Sequence, residues 1–385
     1  MDELIKVEHL TKDYGDGRGI FDLNFVVKKG ETFGFVGTNG SGKTTTIRHI
    51  MGFLKPQEGQ VSVMGLDAWK DSCEIKKYVE YVPGEIAFPD LRDGTTFLKN
   101  QAELLKITDM TYANYLCEKL QLDTSANLKR MSKGMKQKTA IVAAFMSDKD
   151  ILILDEPSTG LDPLMRETFL ELLEEEKKKG KTILMSSQMF DELEQVCDRV
   201  ALIFNGKIID IADMKILNNL PYREYKVEFK TREEYLKFKK LKFEIVRDQE
   251  KYNQVTIKIE KTKINRMFEI LKNYDLKFMS EVKYNLEKHF KMILQKEDEL
   301  LQEKKRIEKL AKDHTPVIKK TLGRRIISKK TQEQKKEQKK LHLELKNEKF
   351  FNKDEYKFHK KEDKKQDHEN KRQQKIKEKK EKEGK

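Results

Sequence analysis

Two short segments hold residue types suited to phosphate chemistry. The first is Gly37-Thr38-Asn39-Gly40-Ser41-Gly42-Lys43-Thr44-Thr45. Two glycines with four residues between them, followed by Lys and Thr, make a phosphate loop. Backbone N–H groups in such a loop turn inward on a phosphate, and a helix starting near Lys43 adds its N-terminal partial positive charge. Lys43 then reaches the β- and γ-phosphates, and the Thr44 hydroxyl binds Mg²⁺. The second segment is Ile151-Leu152-Ile153-Leu154-Asp155-Glu156. Asp155 closes an apolar strand, where α/β sheets place their ligands, and can hold the Mg²⁺ shell. Glu156 suits a general base that polarises an attacking water. Two acids at the end of a buried strand are costly without a cation, so the pair itself argues for a metal. A nucleoside triphosphate and Mg²⁺ are the implied ligand and cofactor.

The elements around these segments follow from pattern. Thr32–Val36 is a short apolar run of the buried-strand kind, leading directly into the loop. Leu4–Val7 and Phe21–Val27 are strand-like, with a Gly- and Asp-rich turn over 13–19. The expected fold class is α/β, a P-loop NTPase with a mixed sheet and a helical subdomain. Residues 86–130 carry helical patterns that include Phe97, Leu98, Leu104 and Leu105.

A third segment, Met131-Ser132-Lys133-Gly134-Met135-Lys136-Gln137-Lys138, lies between the first two. With it the chain resembles the ATP-binding subunits of ABC transporters over residues 1–215. The segment looks like that family's signature, with Lys133 at the usual first glycine and Met135 where glutamine is common. Ser132 and Gly134 keep the pattern, and a helix N-terminus there makes a second anion site. The resemblance implies that this site touches the γ-phosphate held by another subunit. It also implies that Tyr14 stacks on adenine, that Asp162 lies in the loop where two subunits meet, and that Gln188 stands where the family has histidine. A neutral amide can donate to phosphate or orient water but cannot carry charge. Hydrolysis is then either slower or dependent on a partner subunit with an intact site. At Tyr81-Val82-Pro83-Gly84-Glu85 the family has a glutamine after the proline; either Gly84 leaves that place empty or Glu85 fills it, and Glu85 is the preferred reading.

One loop and one signature imply dimerisation, as a homodimer or heterodimer, with ATP between the chains. The resemblance further implies an ATPase coupled to a separately encoded integral membrane permease. The departures at Glu85 and at the signature resemble those of the family's exporter branch, which implies export of a drug, an antibiotic or a lipid-like substrate. The chain itself offers no run of ~18–20 apolar residues to span a bilayer, and its acidic start, Met1-Asp2-Glu3, is not a secretory signal. The expected location is peripheral, on the cytoplasmic face of the membrane. The alternative function is a soluble ATP-dependent switch acting on the ribosome or another nucleic-acid assembly, although that class usually carries two ATPase domains per chain.

Three domains are expected: an ATPase domain over 1–220, an accessory α+β domain over 221–295 and a Lys/Glu-rich tail over 296–385. In the second, Tyr225, Val227 and Phe229 alternate, as do Val255, Ile257 and Ile259. Phe243 and Ile245 suggest another strand, and Ile264, Met267, Phe268 and Leu271 share a helix face, so a βαββαβ order fits. In the tail, 291–312 reads as helical and 315–330 as basic and amphipathic. The remainder is too poor in apolar residues to bury a core and reads as a solvated helix or disorder.

Charge is unevenly shared. The whole chain is +14, yet residues 1–215 hold 29 basic and 35 acidic residues, a net of −6. Residues 296–385 alone are +13. A nucleic-acid role for the ATPase domain is therefore disfavoured. The tail suits solubility first, with an anionic membrane surface or RNA as further partners. Cys73, Cys117 and Cys197 are too few and scattered for a disulfide or zinc framework and read as buried free thiols.

Overall fold

The computed structural model describes residues 3–296 together with 299 and 302. Residues 3–296 belong to one compact unit spanning Met1–Glu297. The expectations for the amphipathic segment 315–330 and the remainder of the tail lie outside the described residues. Of the helix expected over 291–312, residues 291–296, 299 and 302 are described and are helical.

The chain opens with β1 (Glu3–Asp13), β2 (Gly19–Lys28) and β3 (Thr32–Val36), followed by α1 (Lys43–Ile50). Next come β4 (Glu58–Val63), β5 (Leu66–Asp67), the short α2 (Ser72–Ile75) and β6 (Val79–Val82). Helices α3 (Gly94–Leu105), α4 (Thr111–Lys119) and α5 (Lys133–Phe145) form the helical part. Then follow β7 (Ile151–Asp155), α6 (Pro163–Lys178), β8 (Thr182–Ser187), α7 (Phe190–Val196), β9 (Arg199–Phe204), β10 (Lys207–Asp213) and α8 (Met214–Asn218).

Strands β2-β1-β4-β5 make an antiparallel sheet, and β10-β9-β3-β8-β7-β6 a mixed one whose inner members run parallel. The parallel core strands β3, β7 and β8 are buried at every residue. That burial explains why their sequences are continuous apolar runs without alternation. The pleat sends Ile151 and Ile153 into the core shared with α1 and the antiparallel sheet, and Leu152 and Leu154 into the core under α5 and α6. Helix α6 starts where Pro163 follows the capping Asp162, whose carboxylate accepts from the Met165 N–H at 3.0 Å. It buries Met165, Phe169, Leu172, Leu173 and Glu176 along one face. Tyr112 donates to that buried Glu176, and Tyr115 donates to Glu175 at 3.0 Å, so α4 is tied to α6 by two phenols. On α3, Phe97 and Leu98 enter the core, whereas Leu104 is solvent-facing.

The remainder of the compact unit is β11 (Tyr222–Phe229), α9 (Arg232–Lys239), β12 (Glu244–Gln249), β13 (Gln254–Glu260), α10 (Ile264–Leu271) and β14 (Leu276–Val282). This is a βαββαβ order, with an antiparallel sheet β12-β13-β11-β14. Its own core includes Tyr225, Val227, Phe229, Val255, Ile257 and Ile259, the two alternating sets expected. On α10, Met267 and Leu271 are buried, while Phe268 is half exposed. Residues 286–296 form a final helix, α11. Its Leu286 and Phe290 are fully buried, and they join the core that includes Leu152, Leu154 and Phe169 rather than that of the βαββαβ unit. Phe290 packs on Phe190 of α7 with ring centroids 5.7 Å apart. All three cysteines are free; Cys197 is buried as expected, but Cys73 is exposed on α2.

Candidate functional site

The sheet order brings the chemistry together. Strand β8 lies between β3 and β7, so three parallel strands end side by side. Val36 pairs in register with Ser187, and Asp155 with Ser186. The phosphate loop, the Asp155-Glu156 pair and Gln188 therefore emerge on one edge, at the C-terminal ends of the strands.

The loop is shaped by Gly42, which has φ +113° and approaches Ile20 so closely that a Cβ would lie 2.5 Å from its methyl. Only glycine tolerates both conditions. Helix α1 begins directly after it with no side-chain cap, whereas α3, α5 and α6 are capped by Asp93, Ser132 and Asp162. The first-turn N–H groups of α1, at Lys43, Thr44 and Thr45, are thus left to an external anion. The rest of the loop, Thr38, Asn39, Gly40 and Ser41, turns back on itself through Ser41 N–H donating to Thr38 O at 3.1 Å. The buried Ser41 hydroxyl has no protein partner.

Lys43 is 4% exposed. Its ammonium donates to Gly37 O at 2.8 Å and Thr38 O at 3.2 Å, and lies 3.3 Å from a carboxylate oxygen of Glu156. The other Glu156 oxygen accepts from the Gln188 amide at 2.7 Å. Glu156 has φ +48°, an uncommon conformation for a side-chain-bearing residue. Its N–H, donating to the Ser186 hydroxyl at 2.9 Å, holds it there.

Asp155 is 1% exposed. The Ser186 hydroxyl donates to its Oδ1 at 2.6 Å, but Oδ2 is buried with no hydrogen-bond partner. A buried orphan carboxylate oxygen is expensive unless something positive meets it. Next to Oδ2 is the backbone of Gly84, where a Cβ would stand 3.6 Å away, so side-chain-free space adjoins the oxygen. These features fit a hard cation. Among the described residues no cluster of three His, Cys, Asp or Glu could hold a metal. A Mg²⁺ here would therefore take few protein ligands and complete its shell with phosphates and water, as Mg²⁺ usually does. Burial and the Asp155 charge push the Tyr81 phenol up to about 12.

Glu85 departs from expectation. It is exposed, and lines a cleft with Lys133, Lys136 and Gln137 at the start of α5; Gly84 is the residue placed against Asp155. The turn after β6 puts the residue directly following Pro83 beside the neighbouring strand end, so a carboxylate one position on is carried past it. Tyr14 is half exposed, in the turn between β1 and β2, with the Lys12 ammonium 5.7 Å from its ring centre. Ser132 accepts from the Met135 N–H at 3.2 Å and so caps α5. Gly134 packs against Gly160: a Cβ there would lie 2.7 Å from the Gly160 carbonyl oxygen. Asp162 is occupied as the cap of α6. Ser186 went unassigned from sequence alone; its only signal was a hydroxyl residue at the end of an apolar strand.

Residues 20–159 match the family model described as ABC transporter. The bacitracin transport ATP-binding protein BcrA of Bacillus licheniformis is 34% identical over 216 residues, covering 54% of this chain and 70% of that protein. The linearmycin resistance ATP-binding protein LnrL of Bacillus subtilis is 33% identical over 213 residues, 54% of this chain and 68% of that one. The probable multidrug ABC transporter ATP-binding protein YbhF of Escherichia coli is 34% identical over 215 residues, but the chain spans only 36% of its length. Among solved structures, an ATP-binding subunit of an ABC transporter superposes with a TM-score of 0.51 at 31% identity. That match covers 56% of this chain and 92% of the other.

Proposed function

The chain belongs to the ABC transporter ATP-binding proteins, and from that premise we propose that it powers a separately encoded membrane permease through ATP-driven dimerisation. As a member of this family it binds ATP, and the family hydrolyses it. The proposed cargo is a drug, an antibiotic or a lipid-like molecule moving outward, with the protein peripheral on the cytoplasmic face. Relatives named for bacitracin transport and linearmycin resistance support that class of cargo. Among the described residues no helix is long and apolar enough to cross a membrane.

The observation that carries the hydrolytic reading is the convergence of Lys43, Asp155, Glu156 and Gln188 at three adjoining strand ends. We assign phosphate binding to the N–H groups of Gly37–Thr45 and the Lys43 ammonium. Glu156 is the general base. Its backbone is pinned to Ser186, and one carboxylate oxygen is held by the Gln188 amide, which fixes the orientation in which it accepts a proton from water. Gln188 supplies a neutral donor where a cation would otherwise stand. Thr44 and Asp155 Oδ2 are the assigned Mg²⁺ ligands. Mg²⁺, when bound, neutralises charge developing on the phosphate oxygens. Tyr14 is assigned to the adenine, and Ser132, Gly134, Met135 and Asp162 to the nucleotide held by the other subunit. Glu85 is left without a metal role and is assigned to the cleft beside Lys133.

Replacement of Glu156 by Gln keeps the shape and removes the proton acceptor. The expected result is a loss of about 10²–10⁴-fold in ATP turnover and an ATP-dependent dimer on gel filtration. Hydrolysis at the parent rate would refute the base assignment. For the coupled function, the tagged full chain solubilised in mild detergent should carry a polytopic membrane protein through purification. Ribosomes in its place would overturn the exporter reading.

A further inference from the structure

The βαββαβ unit contains a cavity of about 710 Å³ between α10, the segment leading into β12 and the end of β13. This volume falls within the ~300–1,000 Å³ typical of small-molecule sites. Its inner lining is apolar: Leu241, Phe243, Ile259, Met267 and Ile270, of which Met267 and Ile259 are buried. Its rim is cationic. Lys242, Lys258, Lys263 and Arg266 face two carboxylates, Glu244 and Glu260. Those carboxylates are already engaged, Glu260 by Lys263 at 2.8 Å and Glu244 by Lys258 at 3.7 Å. Lys258 also lies over the Tyr222 ring, 4.1 Å from its centre. Among the described residues, Lys242 and Arg266 make no ion pair. Two cations without an ion-pair partner therefore border a half-open cleft that has apolar side chains in its lining.

We propose that this cavity binds an amphipathic anion: a molecule with one carboxylate or phosphate head and one apolar tail, taken as a free monomer. The head would meet Lys242 and Arg266, the guanidinium offering a planar fork that matches an oxyanion. The tail would occupy the lining set by Phe243, Met267 and Ile270. Neither half suffices alone. Exposed cations hold a simple anion weakly because water and salt screen them, and an apolar lining without the cations gives no preference for charge. The site is separate from the nucleotide edge and stands whether or not the exporter reading holds.

The test uses the full chain and laurate below its micellar concentration, followed by calorimetry. Laurate should bind saturably at one site per chain. Acetate, which lacks the tail, and dodecanol, which lacks the charge, should each bind roughly tenfold more weakly or worse. The double replacement Lys242→Glu/Arg266→Glu, at exposed positions, should weaken laurate binding by a similar factor while the circular dichroism spectrum is unchanged. If reversal perturbs the fold, Lys242→Gln/Arg266→Gln serves in its place with the same expectation. Equal binding of dodecanol would overturn the anionic preference, and equal binding of acetate would reduce the site to surface charge. Laurate affinity untouched by the folded variant would place binding elsewhere and overturn the proposal. Phosphatidylglycerol vesicles distinguish the source: vesicle binding should be the same for parent and variant. A variant that loses vesicles but keeps laurate would overturn the monomer reading in favour of a membrane surface.

Discussion

Substituting Gly134 by Ala sets two effects of known sign against each other. Position 134 lies in the first turn of α5, and Ala is a better helix former than Gly by up to ~1 kcal/mol. Against this, the new Cβ would stand 2.7 Å from the Gly160 carbonyl oxygen, a backbone atom with little freedom to retreat. Gly160 itself has φ +90° and adjoins Lys133, whose Cγ would lie 3.0 Å from a Cβ at 160. Overpacking of this kind costs ~1–3 kcal/mol. The net is a loss of about 1 kcal/mol, which in a unit this large lowers Tm by only about 2 °C. The functional effect should be larger. To reach ordinary contact near 3.4 Å, the start of α5 must shift by about 0.7 Å from the turn that carries Gly160. Misplacement approaching 1 Å at a catalytic contact costs up to ~10²-fold. Saturating ATP turnover should therefore fall by about 10–100-fold with thermal stability nearly intact, measured by phosphate release and calorimetry on one preparation. Turnover and Tm both equal to the parent would refute the close packing of the signature helix on the Gly160 turn. A collapse of Tm by tens of degrees would refute the claim that the cost is local.

Gln188→His should raise ATP turnover by up to about tenfold, because a titratable ring replaces a fixed amide beside Glu156; unchanged turnover would mean that the amide is adequate. Alkaline stability supplies a check on the site that is independent of nucleotide. The Tyr81 phenol stays neutral in the folded chain up to about 12, first because it is buried and second because Asp155 repels a phenolate. The unfolded chain releases that proton near its ordinary value of ~10, so stability must fall as pH rises from 10 to 12. Tyr81→Phe should flatten that part of the denaturation curve; an unaltered pH dependence would show that burial of the phenol is not what sets it.

The nucleotide edge was legible where its determinants are local. The phosphate loop declares itself by glycine spacing, and Asp155 by ending an apolar run, because both depend on a few consecutive residues. The placement of Gly84 rather than Glu85 beside Asp155 was not legible. It depends on how the turn after β6 meets β7 across a parallel pair, a fact of register rather than of composition. Ser186 escaped for the same reason: its partnership with Asp155 exists only because those two residues are opposed between β7 and β8. The βαββαβ order was readable because its alternating strands and amphipathic α10 carry periods of their own. Leu286 and Phe290 were not legible as core residues, because a single i, i+4 pair does not say which surface covers it; the core they join lies outside the βαββαβ part.

That last helix also changes where the chain can be cut. Adjacent residues of α11 hold different sheets: Lys288 pairs with Glu224 of β11, and His289 contacts Asp210 of β10 at 2.8 Å. Phe290, next in line, fills the space beside Phe190 and helps wall a small cavity behind Gly37, Thr38 and Gln188. A fragment ending at residue 220 would keep every residue assigned here to the nucleotide and lose this cover, leaving Phe190 and the back of the phosphate loop to water. A piece that preserves the site's surroundings therefore includes Phe290 and Leu294. The boundary expected at 220 falls inside one compact unit and is not a place where the chain divides.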